Sequence, residues 1–555
     1  MELKGSQIVV RTLIEQGCEV VFGYPGAAVI DIFDALYEYA DEIRFVLCAD
    51  EQGAVHAADG FARATGKVGV CLSTSGPGAT NLVTGIAAAH LDSVPLVIVC
   101  GNVSSANIAT DAFQEIDITG ITLPITKHNY FVADTTILAH TIRKAFHIAS
   151  SGRPGPVLVD ITKDTQERSV EWEQMPQVLP ERQQVLATEE ELDAAAEAIN
   201  ACKRPFIYFG GGAISSDAEP EIAYLADLID SPMGCSLMGV SGIATDNPRF
   251  LGMAGMHGHI ASTICLRESD VLIALGVRFN DRSTGERSRF KCGETIVHID
   301  ADTSELSKNT RDTFMLTGDL KLTLQRLLPK LERRTRTSWS EYVAGMRVRE
   351  DQGIERKPGL NPRSAMLALN DHLDQDTYVV TDVGQHQMWA AQYLNFKRPR
   401  TFITNGGLGA MGFGLGAAIG CSMATGKRTV LVSGDGGFQM CATELATAVG
   451  EHLPLIILVM DNQVLGMVRQ WQTLFYDRHY AGTSLNMRRC DYVALASAYG
   501  AHGKRVETIE ELKPAFDEAF ASDEVYLIDC AIDSDELVLP MMQPNGSLQD
   551  IMERV

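Results

Sequence analysis

Short apolar runs of strand length, each closing on a glycine turn and followed by a helical pattern, recur in three sections of the 555 residues. No other feature constrains the fold as strongly. Strands that alternate with helices pair in parallel, with the helices covering the sheet faces. The first section contains such runs at Val20–Phe22, Arg44–Leu47, Val68–Leu72, Leu96–Cys100 and Val157–Asp160. In the second, Arg204–Gly212 leads a strand into three glycines, and Val271–Gly276 and Thr295–Asp300 follow. The third holds Arg428–Ser433 and Leu453–Met460. The expected fold is α/β, with three consecutive parallel-sheet domains at 1–165, 189–332 and 361–535 and a tail over 536–555. The length suits three or four domains of about 150 residues. Two polar stretches, Lys163–Thr188 and about 333–360, read as surface linkers. The first and third sections could be structurally alike, since both read as open parallel sheets.

Composition removes several functional classes. Lys and Arg total 47 against 71 Asp and Glu, a net charge of −24. That balance argues against nucleic acid or an anionic membrane as the main partner. Twelve scattered cysteines form no CxxC pair and read as reduced core residues, which points to the cytoplasm. The amino terminus opens directly into an amphipathic pattern and not a signal peptide. Gly406–Gly426 carries no charge, but eight of its 21 residues are glycine, so it reads as a buried loop and helix and not a membrane span.

The run Gly434-Asp-Gly-Gly-Phe438 follows one apolar strand, and Asp461-Asn462-Gln463 follows the next. Two adjacent parallel strands would bring Asp435 and Asn462 to one sheet edge. Hard oxygen ligands beside a glycine turn suit Mg²⁺ holding a diphosphate. The plainer alternative is two ordinary turns with an N-capping Asp. Glu51 is also placed at a strand end, where burial in a crevice would suit it to proton exchange, or where it could simply stabilise a helix N-terminus. Ser73–Asn81 and Asp382–His386 are loops that allow close backbone approach to a flat or anionic ligand, or else plain capped turns. Gly210–Gly212 lacks a full dinucleotide fingerprint. Gly276–Arg282 carries two cations. Lys163 and the Lys127-His128 pair fit solvated charges. Helical spacing puts Met467 and Trp471 on one face, as core packing or as an apolar wall facing a substrate.

Jointly, these motifs resemble thiamine diphosphate enzymes, and among them the acetohydroxyacid synthase (acetolactate synthase) catalytic large subunits. The resemblance covers nearly the whole chain. It rests on Tyr24-Pro25-Gly26, Glu51-Gln52, Thr74–Asn81 and the Gly434–Asn462 pattern. The narrower family pattern lies in Thr110–Glu115, Gly255–Gly258, Arg278–Arg282 and Gly466–Trp471. It implies decarboxylation of pyruvate and carboligation to a second 2-oxo acid, pyruvate or 2-oxobutyrate, the first common step of branched-chain amino acid biosynthesis. Mg²⁺ would be held by Asp435, Asn462 and the Val464 carbonyl. Thiamine diphosphate would lie against Gly384, Gln385, His386, Met411, Gly434, Gly436, Gly437, Leu465, Gly466 and Met467. Glu51 would hydrogen-bond its pyrimidine and drive the proton transfer that activates it. Arg282 and Trp471 would select the second oxo acid, Phe113, Gln114 and Lys163 would line the same pocket, and Gly26 would lie beside the reacting carbonyl.

The resemblance further implies a structural FAD in the middle section. Its contacts would be Gly210, Gly211, Gly212, Met256, His257, Arg278, Asp300, Asp302 and Asp319. It implies a homodimer or higher homo-oligomer, with Glu51 and Asp435 of each active site on different subunits, and a small regulatory subunit as a further partner. Ala27, Asp50, Asp461 and Gly416 depart from the family pattern, where glycine, histidine, asparagine and proline are usual. Two alternatives remain: another thiamine diphosphate carboligase or decarboxylase, and a noncatalytic nucleotide-binding protein. Arg282 and Trp471 count against the first, and Glu51 against the second.

Overall fold

Runs such as Leu455–Asp461, buried at every position, are what a strand covered on both faces requires. Each of the three sections builds a six-stranded sheet in which every neighbouring pair is parallel. The computed structural model describes residues 1–177, 184–290, 292–353, 357–543 and 546–553.

Counted along the chain, the strands of the first sheet lie in the order 2-1-3-4-6-5, and those of the third sheet lie in the same order. The two sections are therefore alike in topology. The central sheet runs 3-2-1-4-5-6. In open parallel sheets, ligands bind outside the carboxyl ends of the strands where the order reverses. That point falls between Val20–Gly23 and Gly69–Ser73 in the first sheet, and between Tyr378–Thr381 and Thr429–Gly434 in the third. In the central sheet it falls between Pro205–Phe209 and Val271–Leu275.

The first and third sheets are joined by the helices Glu51–Thr65 and Phe413–Thr425. Small residues let the two backbones approach. A Cβ on Gly60 would lie 2.0 Å from the Ala417 carbonyl oxygen, and one on Gly420 would lie 1.8 Å from that of Ala57. Gly416, one of the departures from the family pattern, meets the Gly53 carbonyl in the same way, at 2.7 Å. The charge-free stretch ending at Gly426 is thus a loop and a buried helix. Among the described residues, no helix is long and apolar enough to cross a membrane. All twelve cysteines are free, and ten are buried.

Three expectations need correction. Lys163–Thr188 is not a plain linker: it contains the helix Lys163–Glu167 and the strand Ser169–Glu171, which pairs antiparallel with Glu2–Lys4. Leu3 sits opposite Val170, and the buried Trp172 anchors the end against the first core. Residues 178–183 of that stretch lie outside the described residues. The stretch 333–360 likewise contains a 17-residue helix, Thr337–Gly353. Its charges mask a stripe of Trp339, Val343 and Met346 that packs on the central domain, and the Trp339 indole N–H donates to the Pro205 carbonyl at 3.0 Å. Residues 354–356 lie outside the described residues. Lys127 is not solvated. Its Nζ donates to the Ile148 and Ser151 carbonyls at 2.5 and 2.7 Å, satisfying the end of the helix Leu138–Ser150, and burial lowers its pKa to about 8.

His56 lies at the interface between the two joining helices, edge-on to Phe413 at 5.2 Å, with both ring nitrogens buried and without partners. Burial lowers its pKa from 6.5 to about 3. The unfolded chain takes up a proton below about pH 6.5 that the folded site refuses until about pH 3, so this contribution is complete above pH 6.5 and drains as the pH falls. At pH 5 the cost is about 2 kcal/mol. His56→Leu should therefore flatten the loss of thermal stability between pH 7 and pH 5, measured by calorimetry. An unchanged slope would show that this imidazole does not set it.

Candidate active site

The third sheet sets Gly434 beside Met460, so Asp435 and Asn462 leave adjacent strands at the same edge. Gly434 holds the capping position of the helix Asp435–Cys441 and offers it no side chain. Asp435 reaches the next turn, where its Oδ2 accepts the Gln463 amide at 2.7 Å. The Asn462 amide spans the same turn: its Oδ1 accepts the Val464 N–H at 3.1 Å, and its Nδ2 donates to Gln385 Oε1 at 3.4 Å. Burial, with the Asp461 carboxylate beside it, pushes the Asp435 carboxyl well above its ordinary range. A buried carboxylate so crowded suits a nearby cation. Among the described residues, no three His, Cys, Asp or Glu side chains cluster to hold a metal ion. A cation at Asp435 would need oxygen donors other than carboxylates, and the Asn462 side chain shares its turn.

Glycines shape the rest of this crevice. A Cβ on Gly434 would lie 2.9 Å from the His386 ring, and one on Gly384 would meet the same ring at 2.9 Å. At Gly436 it would meet Leu465 at 2.7 Å and the Met411 methyl at 3.7 Å. At Gly466 it would fall 2.0 Å from Gln385 Oε1 and 2.7 Å from Asn462 Nδ2. The structure thus brings Gly384, Gln385, His386, Met411, Gly434, Gly436, Asn462, Leu465 and Gly466 together. His386 is buried with its Nε2 unpartnered, and burial lowers its pKa to about 4. An unpartnered buried imidazole beside a glycine turn is a fitting contact for an oxyanion. Gly437 has a different neighbour, Asp382, 2.6 Å from its would-be Cβ. Asp382 accepts the Gly412 and Gly414 amides at 3.0 and 2.9 Å and so fixes the backbone that follows Met411.

At the first sheet, Glu51 is buried and opens its helix, with Asp50 as the capping residue accepting the Gly53 amide at 2.7 Å. Glu51 Oε2 accepts Asn81 Nδ2 at 2.9 Å. The loop at 74–78 ties its neighbours together. A Cβ on Gly26 would lie 2.5 Å from Thr74, one on Gly76 2.8 Å from Gln114, and one on Gly78 2.9 Å from Glu51 Oε1. Lys163 Nζ donates to Asp31 at 2.9 Å and to the Ala27 carbonyl at 3.2 Å. Phe113 is 86% exposed, which is unusual for so large an apolar side chain.

The central sheet opens onto a cavity of about 770 Å³ at its switch point. Gly210, Gly211 and Gly212 follow its first strand and Gly276 its fourth. The two turns touch: a Cβ on Gly210 would lie 2.5 Å from the Gly276 oxygen, and one on Gly212 2.7 Å from the Gly276 Cα. Met256, His257, Arg278, Asp300 and Asp319 line the cavity. Asp319 also caps the helix Leu320–Leu327. Asp302 does not line it; that carboxylate pairs with Arg153, which does, at 3.1 Å. A cavity of this size at a 3-2-1-4-5-6 switch point fits a dinucleotide. It extends to Gly384, Met467 and Trp471 of the third section and to Arg282. The Arg282 side chain is mostly exposed and touches Met256 Sδ at 3.7 Å.

The cavity that Arg282 and Trp471 line is not lined by Gly26, Glu51, Phe113, Gln114 or Lys163 of the same chain. Among the described residues, no hydrogen bond or ion pair joins either of them to Gly26, Glu51, Gln114 or Lys163. Three buried carboxylates beyond the predicted set hold these surfaces in place. Asp382 sits inside a recognised motif. Glu444 accepts the Ala49 and Asp50 amides at 3.0 and 3.2 Å, and Asp92 binds the loop that follows Thr404. Neither Glu444 nor Asp92 has a local sequence signal, because their partners come from distant parts of the chain.

Three family models match, each within one of the three sheet-forming sections. They are the thiamine pyrophosphate enzyme N-terminal TPP binding domain over residues 3–121, the central domain over 192–327 and the C-terminal TPP binding domain over 382–530. The acetolactate synthase isozyme 2 large subunit of Escherichia coli is 42% identical over 557 residues, covering all of both chains. The acetolactate synthase large subunit of Corynebacterium glutamicum is 41% identical over 99% of this chain and 90% of its own. The chain belongs to the acetolactate synthase large-subunit family. A probable acetolactate synthase large subunit of Methanocaldococcus jannaschii is a third relative, 41% identical over all of this chain and 96% of its own. As a thiamine diphosphate enzyme of this family, the protein has the crevices of its first and third sheets in the two TPP binding domains and the large cavity in the central one.

The contacts at Gly466 give a direct test of the third-sheet crevice. Gly466→Ala should force Gln385 away from Asn462 and weaken binding of Mg²⁺ with thiamine diphosphate by about tenfold or more. Fluorescence titration would measure this, and an unchanged affinity would show that the Gln385–Asn462 contact does not shape the site.

Proposed function

We infer that this protein is an acetolactate synthase: it decarboxylates pyruvate and joins the remaining two-carbon unit to a second 2-oxo acid, giving 2-acetolactate from pyruvate or 2-aceto-2-hydroxybutyrate from 2-oxobutyrate. Full-length identity to large subunits of that name carries the reading. Supporting it, Arg282, Met467 and Trp471 share one cavity that reaches Gly384 at the rim of the third-sheet crevice.

When bound, thiamine diphosphate supplies an acidic carbon that adds to a keto group and an electron sink for decarboxylation. The chain's residues do the rest. Asp435, Asn462 and the Val464 carbonyl would hold Mg²⁺ against the diphosphate, with Gln385, His386 and the glycine turns at 384, 434, 436, 437 and 466 around it. Met411, Leu465 and Met467 supply the apolar bed. Glu51 holds and moves the proton at the pyrimidine, buried and oriented by Asn81. Gly26, Phe113, Gln114 and Lys163 form the wall beside the reacting carbonyl. Arg282 takes the second substrate's carboxylate, and the Trp471 indole favours an apolar chain on it.

Among the described residues no hydrogen bond joins Glu51 to Asp435 or Asn462 within one chain, and the reading therefore includes a homodimer in which each Glu51 completes the partner's site. The central cavity takes FAD in a structural role, along Gly210, Gly211, Gly212, Met256, His257, Arg278, Asp300 and Asp319, with Asp302 acting through Arg153. The relatives are named large subunits, which supports a small regulatory subunit as a further partner. The reduced, buried cysteines support a cytoplasmic location.

Purified protein supplied with thiamine diphosphate, Mg²⁺, FAD and pyruvate should form acetolactate, and added 2-oxobutyrate should be converted to acetohydroxybutyrate. Glu51→Gln should lower turnover by about 10²–10⁴-fold with the circular dichroism spectrum unchanged. No acetohydroxy acid from the wild type would refute the activity; near-normal turnover in the variant would refute the role of Glu51.

A further inference from the structure

Asp92 ends the helix Val83–Asp92, the one end of a helix where a carboxylate opposes the helix dipole. Its side chain is fully buried. A negative charge in that position needs strong compensation, and the compensation comes from all three sections of the chain. Arg63 of the first section donates to Asp92 Oδ2 at 3.0 Å. Asn405 Nδ2 donates at 2.8 Å, and the Gly406 and Gly407 amides donate at 3.1 and 2.8 Å, all from the third section. Arg278 of the central section lies 3.9 Å away. Arg63 adds a bond to the Thr404 carbonyl at 2.9 Å, so the same ion pair grips the loop from two sides.

The loop held in this way is a wall shared by two sites. Residues 405–409 line the central cavity. At the other end, Asn405 Oδ1 accepts the Ala410 amide at 2.8 Å, fixing the backbone just before Met411, whose methyl group faces Gly436. Gly407 approaches so closely that a Cβ there would lie 2.6 Å from Asp92 Oδ1, which leaves the loop little room to shift while the carboxylate remains.

We propose that Asp92 is a positioning residue for thiamine diphosphate binding: by holding residues 405–411 it sets the apolar bed at Met411, although its own place is on the wall of the central cavity and not in the third-sheet crevice. The inference rests on reading the third-sheet crevice as the diphosphate site. Its prediction differs from that of a residue that merely supports the fold. Loss of Asp92 should raise the thiamine diphosphate concentration needed for half-saturation. The KM for pyruvate, measured at saturating cofactor, should stay nearly constant.

The test compares wild type, Asp92→Asn and Asp92→Ala, each full-length with Mg²⁺ present. Asp92→Ala should raise half-saturation by thiamine diphosphate about tenfold or more, the equivalent of a lost charge-assisted hydrogen bond, while the pyruvate KM moves by less than about twofold. Hydrogen exchange at the Gly406 and Gly407 amides should rise in parallel. Asp92→Asn, which keeps one acceptor oxygen, should fall between the two, and it carries the test if the alanine variant does not fold. Equal losses in cofactor and pyruvate affinity, or faster loop exchange with unchanged cofactor affinity, would overturn the proposal. A wild type that takes up no thiamine diphosphate would overturn the reading of the crevice itself. Normal uptake by all three proteins would overturn only the role of Asp92.

Discussion

Parallel pairing is the constraint on which the rest of this structure depends. A parallel strand delivers its last residue to the same edge as its neighbour's last residue, and the order of the strands then decides where a crevice opens at that edge. The register that sets Gly434 beside Met460 is what turns two residues 27 positions apart, Asp435 and Asn462, into neighbours. The same rule, applied at the first sheet, places Gly26 against Thr74. Applied at the central sheet, it puts Gly210 and Gly212 against Gly276. Three crevices follow from one geometric rule, and the glycines at their rims are there because backbones meet backbones.

Buried acidic side chains fix loops beside the sites, and two of them, Asp92 and Glu444, do so across sections. Asp92, Asp382 and Glu444 are buried carboxylates that accept backbone amides from loops distant in sequence. Hydrogen bonds to an ionised acceptor are stronger than neutral ones, and a buried carboxylate that lost them would be costly. These three residues act as pins that hold glycine-rich loops in single conformations beside the sites. Part of the acidity that counts against nucleic-acid binding is therefore structural and does not reach the surface.

The sequence made legible what depends on local pattern. Strand runs ending in glycine turns predict the sheets, and the motifs around Glu51, Asp382–His386, Gly434–Phe438 and Gly466–Trp471 mark edges that the fold does bring to crevices. Patterns dominated by surface charge concealed structure: the helix Thr337–Gly353 rests on Trp339, Val343 and Met346, whose spacing is hard to see among Arg and Glu. Asp302, expected as an FAD contact, pairs instead with Arg153, which lines the central cavity. Asp92 and Glu444 carried no signal at all, because a carboxylate that binds amides hundreds of residues away looks, in sequence, like any other acidic residue near a helix end.

We propose that each active site is built from two chains, Glu51 on one and the Asp435–Asn462 pair on the other. Subunit complementation tests it most directly. Glu51→Gln and Asp435→Asn variants, each nearly inactive alone, are mixed and allowed to exchange subunits. If the site is shared, half of the dimers are mixed and one of their two sites is intact, so activity should recover to about a quarter of wild type. A mixture no more active than its two components, after subunit exchange has been demonstrated, would contradict the account.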